Sequence, residues 1–367
     1  YILEYIFLVY AVFFVSVVMF SLLINTILLK FSTTLGIREN EKPLIRWSSV
    51  SRPALGGISF YISFLIGTAS FGIFFNNDAL FNDGQVIGLL FASSLAFLMG
   101  LADDAYNTRP FLKFFVQIAC AGILIFAGNY SAQETCFTIQ LFDNEILNIV
   151  LTLFWVIGIM NSINMLDNMD GITAITSLFI LLTALVFLTI NKDFKNYDFI
   201  VLLAVFASLI GFLFHNWNPS KMFMGDSGSQ FLGLLIAAIG IKYFWNSTDF
   251  INGEFISSKQ VIVVLIVFIL PICDTTSVVI NRLARKQSPF VGGKDHTTHH
   301  LSYLGFSDSQ IAFVYLGISS LSLIISIALY RFINDWSYWI AIGFFIYFLG
   351  VFTSLYITTQ QNKDKRS

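Results

Sequence analysis

Charge is what this chain of 367 residues lacks: Asp, Glu, Lys and Arg make up 11% of it, against 56% hydrophobic residues. A soluble domain carries about 25% charged residues. That scarcity, with a mean hydropathy of +0.78, excludes a soluble globular protein and leaves an integral membrane protein. Cysteine is nearly absent too. Cys120, Cys136 and Cys273 form no CxxC pair, and two of them lie inside apolar runs, so a disulfide framework and a zinc–thiolate site are both excluded. Long polar connections are missing as well: the two longest, about 30–56 and 282–308, are too short for a separate soluble domain. No internal repeat stands out, which argues against a transporter built from inverted halves.

What is present is a series of long apolar runs. With about 20 mostly apolar residues needed per span, the sequence predicts eleven membrane helices, near 5–29, 57–75, 86–102, 111–128, 146–165, 171–190, 198–214, 229–245, 260–281, 309–331 and 336–358. The first is too long for a signal-peptide core and lacks a basic start, so it is read as a retained helix. The expected fold is an all-α polytopic membrane protein, a single transmembrane catalytic domain over 1–358 with a basic tail over 359–367. Fifteen of the twenty Lys and Arg fall in the odd-numbered connections and the tail. The positive-inside rule then puts the N-terminus outside and those connections, with the C-terminus, in the cytoplasm.

Acids are scarce, yet aspartates recur on that same side: Asp103 and Asp104, Asp167 and Asp170, Asp226, and Asp274. Ionisable groups at the edge of hydrocarbon are costly, so a ring of them marks a functional site. In Phe223-Met224-Gly225-Asp226-Ser227-Gly228-Ser229 the glycines admit a ligand close to the backbone, and Ser227 and Ser229 are expected to cap the next helix. A helix N-terminus attracts anions. Asp226 would repel one unless a cation such as Mg²⁺ bridges carboxylate and phosphate. Asn161, Asn164 and Asp167, spaced by three, share a helix face that cannot meet lipid without cost, and read as a polar cleft or as interhelical hydrogen bonding. Asp103-Asp104 is a base candidate with a supporting neighbour, or a solvated helix end, and Lys113 is placed to offset its charge or touch a phosphate. His296, His299 and His300 cluster in one short loop. His296 and His300 would share a face if helical, but with no third soft ligand in view, phosphate contact is the better reading than zinc. Arg46 and Arg52 fit a surface that receives anionic lipid heads, or plain positive-inside bias.

Six stretches, SRPALGGI (51–58), LADD (101–104) with KFFVQ (113–117), NSINMLDNMDG (161–171), NWNPSKMFMGDSGS (216–229), PICDTT (271–276) and DHTTHHLSYLG (295–305), occur in that order. Together they resemble the polyprenyl-phosphate N-acetylhexosamine-1-phosphate transferase family over about residues 40–310. The resemblance implies transfer of a sugar-1-phosphate from a UDP-N-acetylhexosamine to undecaprenyl phosphate in the bacterial inner membrane, with release of UMP and with Mg²⁺ or Mn²⁺. It implies catalytic roles for Asp103, Asp104 and Asp226, with Asp226 and Asp104 toward the metal. Substrate contacts are implied for Arg52, Lys113, Asn161, Asn164, Asp167, Asp170, His296, His299 and His300. The His-Thr-Thr-His-His run followed by Leu301, and an eleventh span, look more like the GlcNAc-1-phosphate branch than the peptidoglycan translocase. The partners expected are the two substrates and the bilayer, with a homodimer left open and no nucleic acid. A cation- or proton-coupled transporter would also carry membrane carboxylates, but near the bilayer midplane rather than gathered at one face.

Overall fold

The computed structural model describes residues 2–32, 52–75, 80–129, 137–248, 250, 253–289, 293–333 and 335–361. Arg38, Lys42, Arg46, Ser51, Cys136, Gly292 and the basic residues 363–366 of the tail lie outside them. The chain is an all-α polytopic membrane protein. Its helices are α1 (Ile2–Lys30), α2 (Gly56–Phe75), α3 (Gly84–Tyr106), α4 (Pro110–Asn129), α5 (Glu145–Leu166), α6 (Ile172–Ile190), α7 (Tyr197–Asn216) and α8 (Gly225–Gly240). A π-helical turn, Ile241–Trp245, extends α8, and α9 (Ser257–Val267), α10 (Ile269–Ala284), α11 (Thr297–Tyr303), α12 (Asp308–Arg331) and α13 (Tyr338–Gln361) follow.

Among the described residues, ten helices are long and apolar enough to cross a membrane, and α9 with α10 makes an eleventh span that is bent by 79°. The expectation of one straight helix over 260–281 is corrected here. Pro271 has no N–H, and in a continuous helix its ring would collide with the carbonyl of Val267. The chain therefore ends α9 at Val267, turns at Phe268 and restarts, with Pro271 in the first turn of α10, where a missing N–H costs nothing. The Phe268 ring wedges edge-on against Trp155 of α5 at 4.8 Å, and Ser162 of α5 donates to the Pro271 carbonyl at 2.8 Å. The bend is thus held from outside.

At the centre lies α8, packed against α2, α3 and α5. All of its sixteen residues are buried except one, Asp226. Lipid tails are as apolar as leucine, so close backbone packing rather than apolarity selects helix neighbours in a membrane. Small residues do this work here. A Cβ on Gly57 of α2 would stand 2.2 Å from the Gly228 nitrogen, and one on Gly100 of α3 would stand 2.2 Å from the Asp226 carbonyl oxygen. Residues 53–57 also pair with Phe223 and Met224, the Gly57 N–H reaching the Met224 carbonyl at 3.0 Å. These contacts pin the start of α8 between α2 and α3. At the periphery, α6 meets α12 through the stacked rings of Phe187 and Tyr330, 4.0 Å apart.

Candidate active site

Asp103, Asp104, Lys113 and Asn164, four of the candidate residues, converge with Asp226 on the N-terminus of α8. Gly225 adopts a positive φ of 77°, a conformation that L side chains resist, and turns the chain sharply into the helix. The capping expected from Ser227 and Ser229 is not what forms: the N-cap is Met224, without a side-chain cap. Asp104 caps the helix from α3 instead. Its Oδ1 accepts from the Asp226 N–H at 2.8 Å and its Oδ2 from the Ser227 N–H at 2.9 Å. A carboxylate at this helix end satisfies two orphan donors and complements the helix dipole.

Asp226 projects from that first turn. Its Oδ2 receives the Lys113 ammonium at 2.6 Å and its Oδ1 the Asn164 amide at 2.6 Å. Lys113 also reaches Asp103 Oδ2 at 2.5 Å, so one ammonium stands between two carboxylates. The α3–α4 turn builds this arrangement. Asn107 closes α3 in the left-handed conformation, its N–H on the Asp103 carbonyl at 2.8 Å. Thr108 then donates to Asp103 Oδ1 through both its backbone N–H and its hydroxyl. Pro110 opens α4 with its φ already helical, and Lys113 follows within one turn.

A second polar layer lies about 6 Å deeper, one helical turn along each element. Gln117 follows Lys113 by four residues and Gln230 follows Asp226 by four, while Asn161 precedes Asn164 by three. The Asn161 amide donates to Gln117 at 2.9 Å, and Gln117 donates to Gln230 at 3.1 Å. Asn161 thus ties α5 to α4 and α8 below the carboxylates. Gln117 and Gln230 carried a legible signal that was missed: a polar residue one turn from a charged one on an otherwise apolar helix.

Asp170 and Arg52 meet each other in a separate hub. Arg52 Nη1 lies 3.2 Å from both oxygens of Asp170, which also accepts from the Ser220 N–H at 3.0 Å, the Ser220 hydroxyl at 2.8 Å and the Asn218 amide at 3.1 Å. Asp167 is the C-cap of α5, half-buried beside this turn. Removing one partner of a buried pair strands the other charge. Asp170→Ala is therefore expected to destabilise the protein by about 2–3 kcal/mol, below the 3–5 typical of full burial because Arg52 keeps some access to water. Thermal unfolding in detergent checks this, with Arg52→Met/Asp170→Ala recovering part of the loss.

The histidines stand on α11. His296 is its N-cap, in extended conformation, so it does not share a helical face with His300. Asp274 of α10 accepts from Thr297 twice, from its N–H at 2.8 Å and its hydroxyl at 2.6 Å, and pairs with His296 Nδ1 at 2.8 Å. Thr298 donates to Asn168 at 2.7 Å, tying α11 to the turn that follows Asn164 and Asp167. His299 is buried in α11, and that burial, with His296 beside it, pushes its pKa down to about 3. It is neutral at physiological pH. Burial alone would raise the Asp295 carboxyl, but the Arg282 guanidinium, at 2.7 Å and 3.0 Å, and then Arg285 hold it down at about 2.

Among the described residues, no three His, Cys, Asp or Glu side chains converge into a protein-only metal site. The central cluster offers carboxylate and amide oxygens. That donor set suits a hard cation such as Mg²⁺, which is usually bound by one or two carboxylates with water and substrate phosphates completing the shell.

Fold and site together define a polytopic membrane protein in which acidic, basic and amide side chains from α3, α4 and α5 meet at the N-terminus of α8. The profile of glycosyl transferase family 4 matches residues 86–244. The chain is 26% identical over 256 residues (70% of this chain, 67% of the relative) to the "Probable undecaprenyl-phosphate N-acetylglucosaminyl 1-phosphate transferase" of Bacillus subtilis. It is 30% identical over 250 residues (62% and 73%) to the phospho-N-acetylmuramoyl-pentapeptide-transferase of Staphylococcus carnosus, and 29% over 294 residues (73% and 82%) to that of Enterococcus faecalis. The chain belongs to this family, the polyprenyl-phosphate sugar-1-phosphate transferases, and is an enzyme.

Proposed function

We propose that the chain transfers N-acetylglucosamine-1-phosphate from UDP-N-acetylglucosamine to undecaprenyl phosphate at the cytoplasmic face of the inner membrane, releasing UMP. The observation that carries the reading is Lys113 held between Asp103 and Asp226 at the mouth of a buried helix. An acceptor-phosphate oxygen attacks the sugar-bearing phosphorus of the donor, and the bond from that phosphorus to the bridging oxygen breaks, leaving with UMP. A phosphate monoester with a second pKa of about 6 is largely dianionic at neutral pH, so direct attack needs little activation. Asp103 orients the acceptor and takes its last proton when it arrives as a monoanion. Lys113 screens the charge between the two phosphates, and Asn164 fixes Asp226. Mg²⁺, with Mn²⁺ as a substitute, would be held by Asp226 with Asp104 beside it and would neutralise diphosphate charge. Asn164 and Asp167 line the nucleotide-sugar side, and α11 brings the histidines to the diphosphate.

The names of the relatives from Staphylococcus carnosus and Enterococcus faecalis favour a second reading, with UDP-MurNAc-pentapeptide as donor. A transfer assay decides between them. Purified protein in detergent, undecaprenyl phosphate and Mg²⁺ are mixed with each donor, and UMP and labelled lipid are followed together. Lipid-dependent UMP release with UDP-GlcNAc is the expected result, abolished by EDTA. Turnover only with the pentapeptide donor would move the chain to the second reading. Silence with every donor, joined to solute flux in vesicles, would overturn the transferase.

A further inference from the structure

One side chain in the turn between α5 and α6 makes contacts in two directions. Asn168 stands between Asp167 and Asp170. Its amide nitrogen donates to the Met165 carbonyl at 2.9 Å and satisfies a carbonyl left open at the C-terminal turn of α5. Its amide oxygen accepts from the Thr298 hydroxyl of α11 at 2.7 Å. An amide both donates and accepts, so one residue serves two elements. The rest of the turn is anchored from elsewhere. Asn216 of α7 receives the Gly171 N–H at 3.0 Å, and Ser220 and Asn218 hold Asp170. Asn168 is where this anchored turn meets the histidine helix.

That helix takes its position from its neighbours. α11 has seven residues, too few to persist as a helix on local propensity alone. Thr297 is tied to Asp274 of α10, and Asp295, just ahead of the helix, to Arg282 and Arg285 at the end of α10. These bonds fix α11 to α10 and say nothing of its distance from α5. Leu301 shares an apolar cluster with Leu166 and Met169, but apolar contact is non-directional. Thr298 supplies the direction. Its side chain is fully buried, and a buried hydroxyl is costly without a partner, so the bond to Asn168 holds.

We infer that Asn168 is a positioning residue: through Thr298 it sets the spacing between the α11 histidines and Asp167, the two sides between which the sugar-nucleotide donor is bound. This rests on the transferase reading for the identity of the ligand. The competing account is that Asn168 only closes α5 through Met165. Thr298→Val separates the two, because it removes the hydroxyl, keeps the side chain's shape and leaves the Met165 contact untouched. Thr298→Ser puts the hydroxyl back.

The first measurement is hydrogen–deuterium exchange of the intact, detergent-solubilised protein without substrate. Losing one neutral hydrogen bond shifts a local opening equilibrium by about fivefold. Exchange across α11 is expected to quicken by about that factor in Thr298→Val and to return to the wild-type rate in Thr298→Ser. Thr298→Val added to Asn168→Ala should quicken it no further than Asn168→Ala alone, because the two side chains share one bond. Unchanged exchange in Thr298→Val, or effects that multiply in the double variant, overturns the inference. The second measurement is the transfer assay with UDP-GlcNAc. Donor KM should rise about fivefold in Thr298→Val and recover in Thr298→Ser, with the KM for undecaprenyl phosphate unchanged. Less folded enzyme with both KM values at wild type would return Asn168 to closing α5, and an equal rise in both KM values would also overturn the inference. Wild-type protein that releases no UMP would sink the transferase reading instead, while exchange still reports on the contact.

Discussion

Asp226→Asn is expected to lower kcat/KM for sugar-phosphate transfer by about a thousandfold, some 4 kcal/mol of transition-state stabilisation, while leaving the fold intact. The side chain keeps its size but loses the charge. Of the two donors that converge on it, the Lys113 ammonium and the Asn164 amide, one would then face an NH₂ group. Lys113 would retain Asp103 alone, and on the proposed reading the donor diphosphate would meet a site with less means of holding a divalent cation beside it. The rest of α8 is wholly buried and packed through Gly57 and Gly100, so nothing outside the first turn needs to move. Steady-state kinetics with a matched unfolding curve checks this. Activity within tenfold of the wild type, in protein of normal stability, would remove Asp226 from the machinery.

How much of this could be read beforehand depends on what each residue answers to. Hydropathy located the spans because apolar length is a local property, and among the described residues each candidate span falls where it was expected. It clipped their functional ends. The third span was expected to stop at 102, but α3 runs to Tyr106, because Asp103 and Asp104 stay helical to meet Lys113 and α8. A polar helix end that is satisfied by other helices looks like a loop to any averaging window. The bend at Phe268 had a visible cause in Pro271, but its angle is set by Trp155 and Ser162 on α5. Residue type flagged Asp104 as functional, and its place as a cap on another helix could not be seen, because the pairing spans more than a hundred residues. The same holds for Arg52 and Asp170, two separate expectations for substrate contact that turn out to be partners. Asp274 was conspicuous in sequence, but its contacts with Thr297 and His296 could be seen only in the fold.

The turn into α8 supplies the second large effect. Gly225→Ala adds one methyl group at a φ of 77°, which costs an L residue about 1–2 kcal/mol before any contact is counted. That methyl carbon would stand 2.7 Å from Asp104 Oδ2 and 2.9 Å from the Ala54 carbonyl oxygen. The backbone oxygen is fixed by the pairing of 53–57 with 223–224, so the carboxylate gives way. Asp104 then releases the N–H groups of Asp226 and Ser227, and the turn that aims Asp226 at Lys113 loses its anchor. A displacement of about 1 Å in a positioned group can cost about a hundredfold in rate. Gly225→Ala is expected to lose about that much in kcat with the donor KM less affected. Gly158→Ala, on α5 where a Cβ meets nothing within 4 Å, should turn over normally. Equal activity in the two variants would mean that the cap from Asp104 is dispensable, and that Asp226 is held by Lys113 and Asn164 alone.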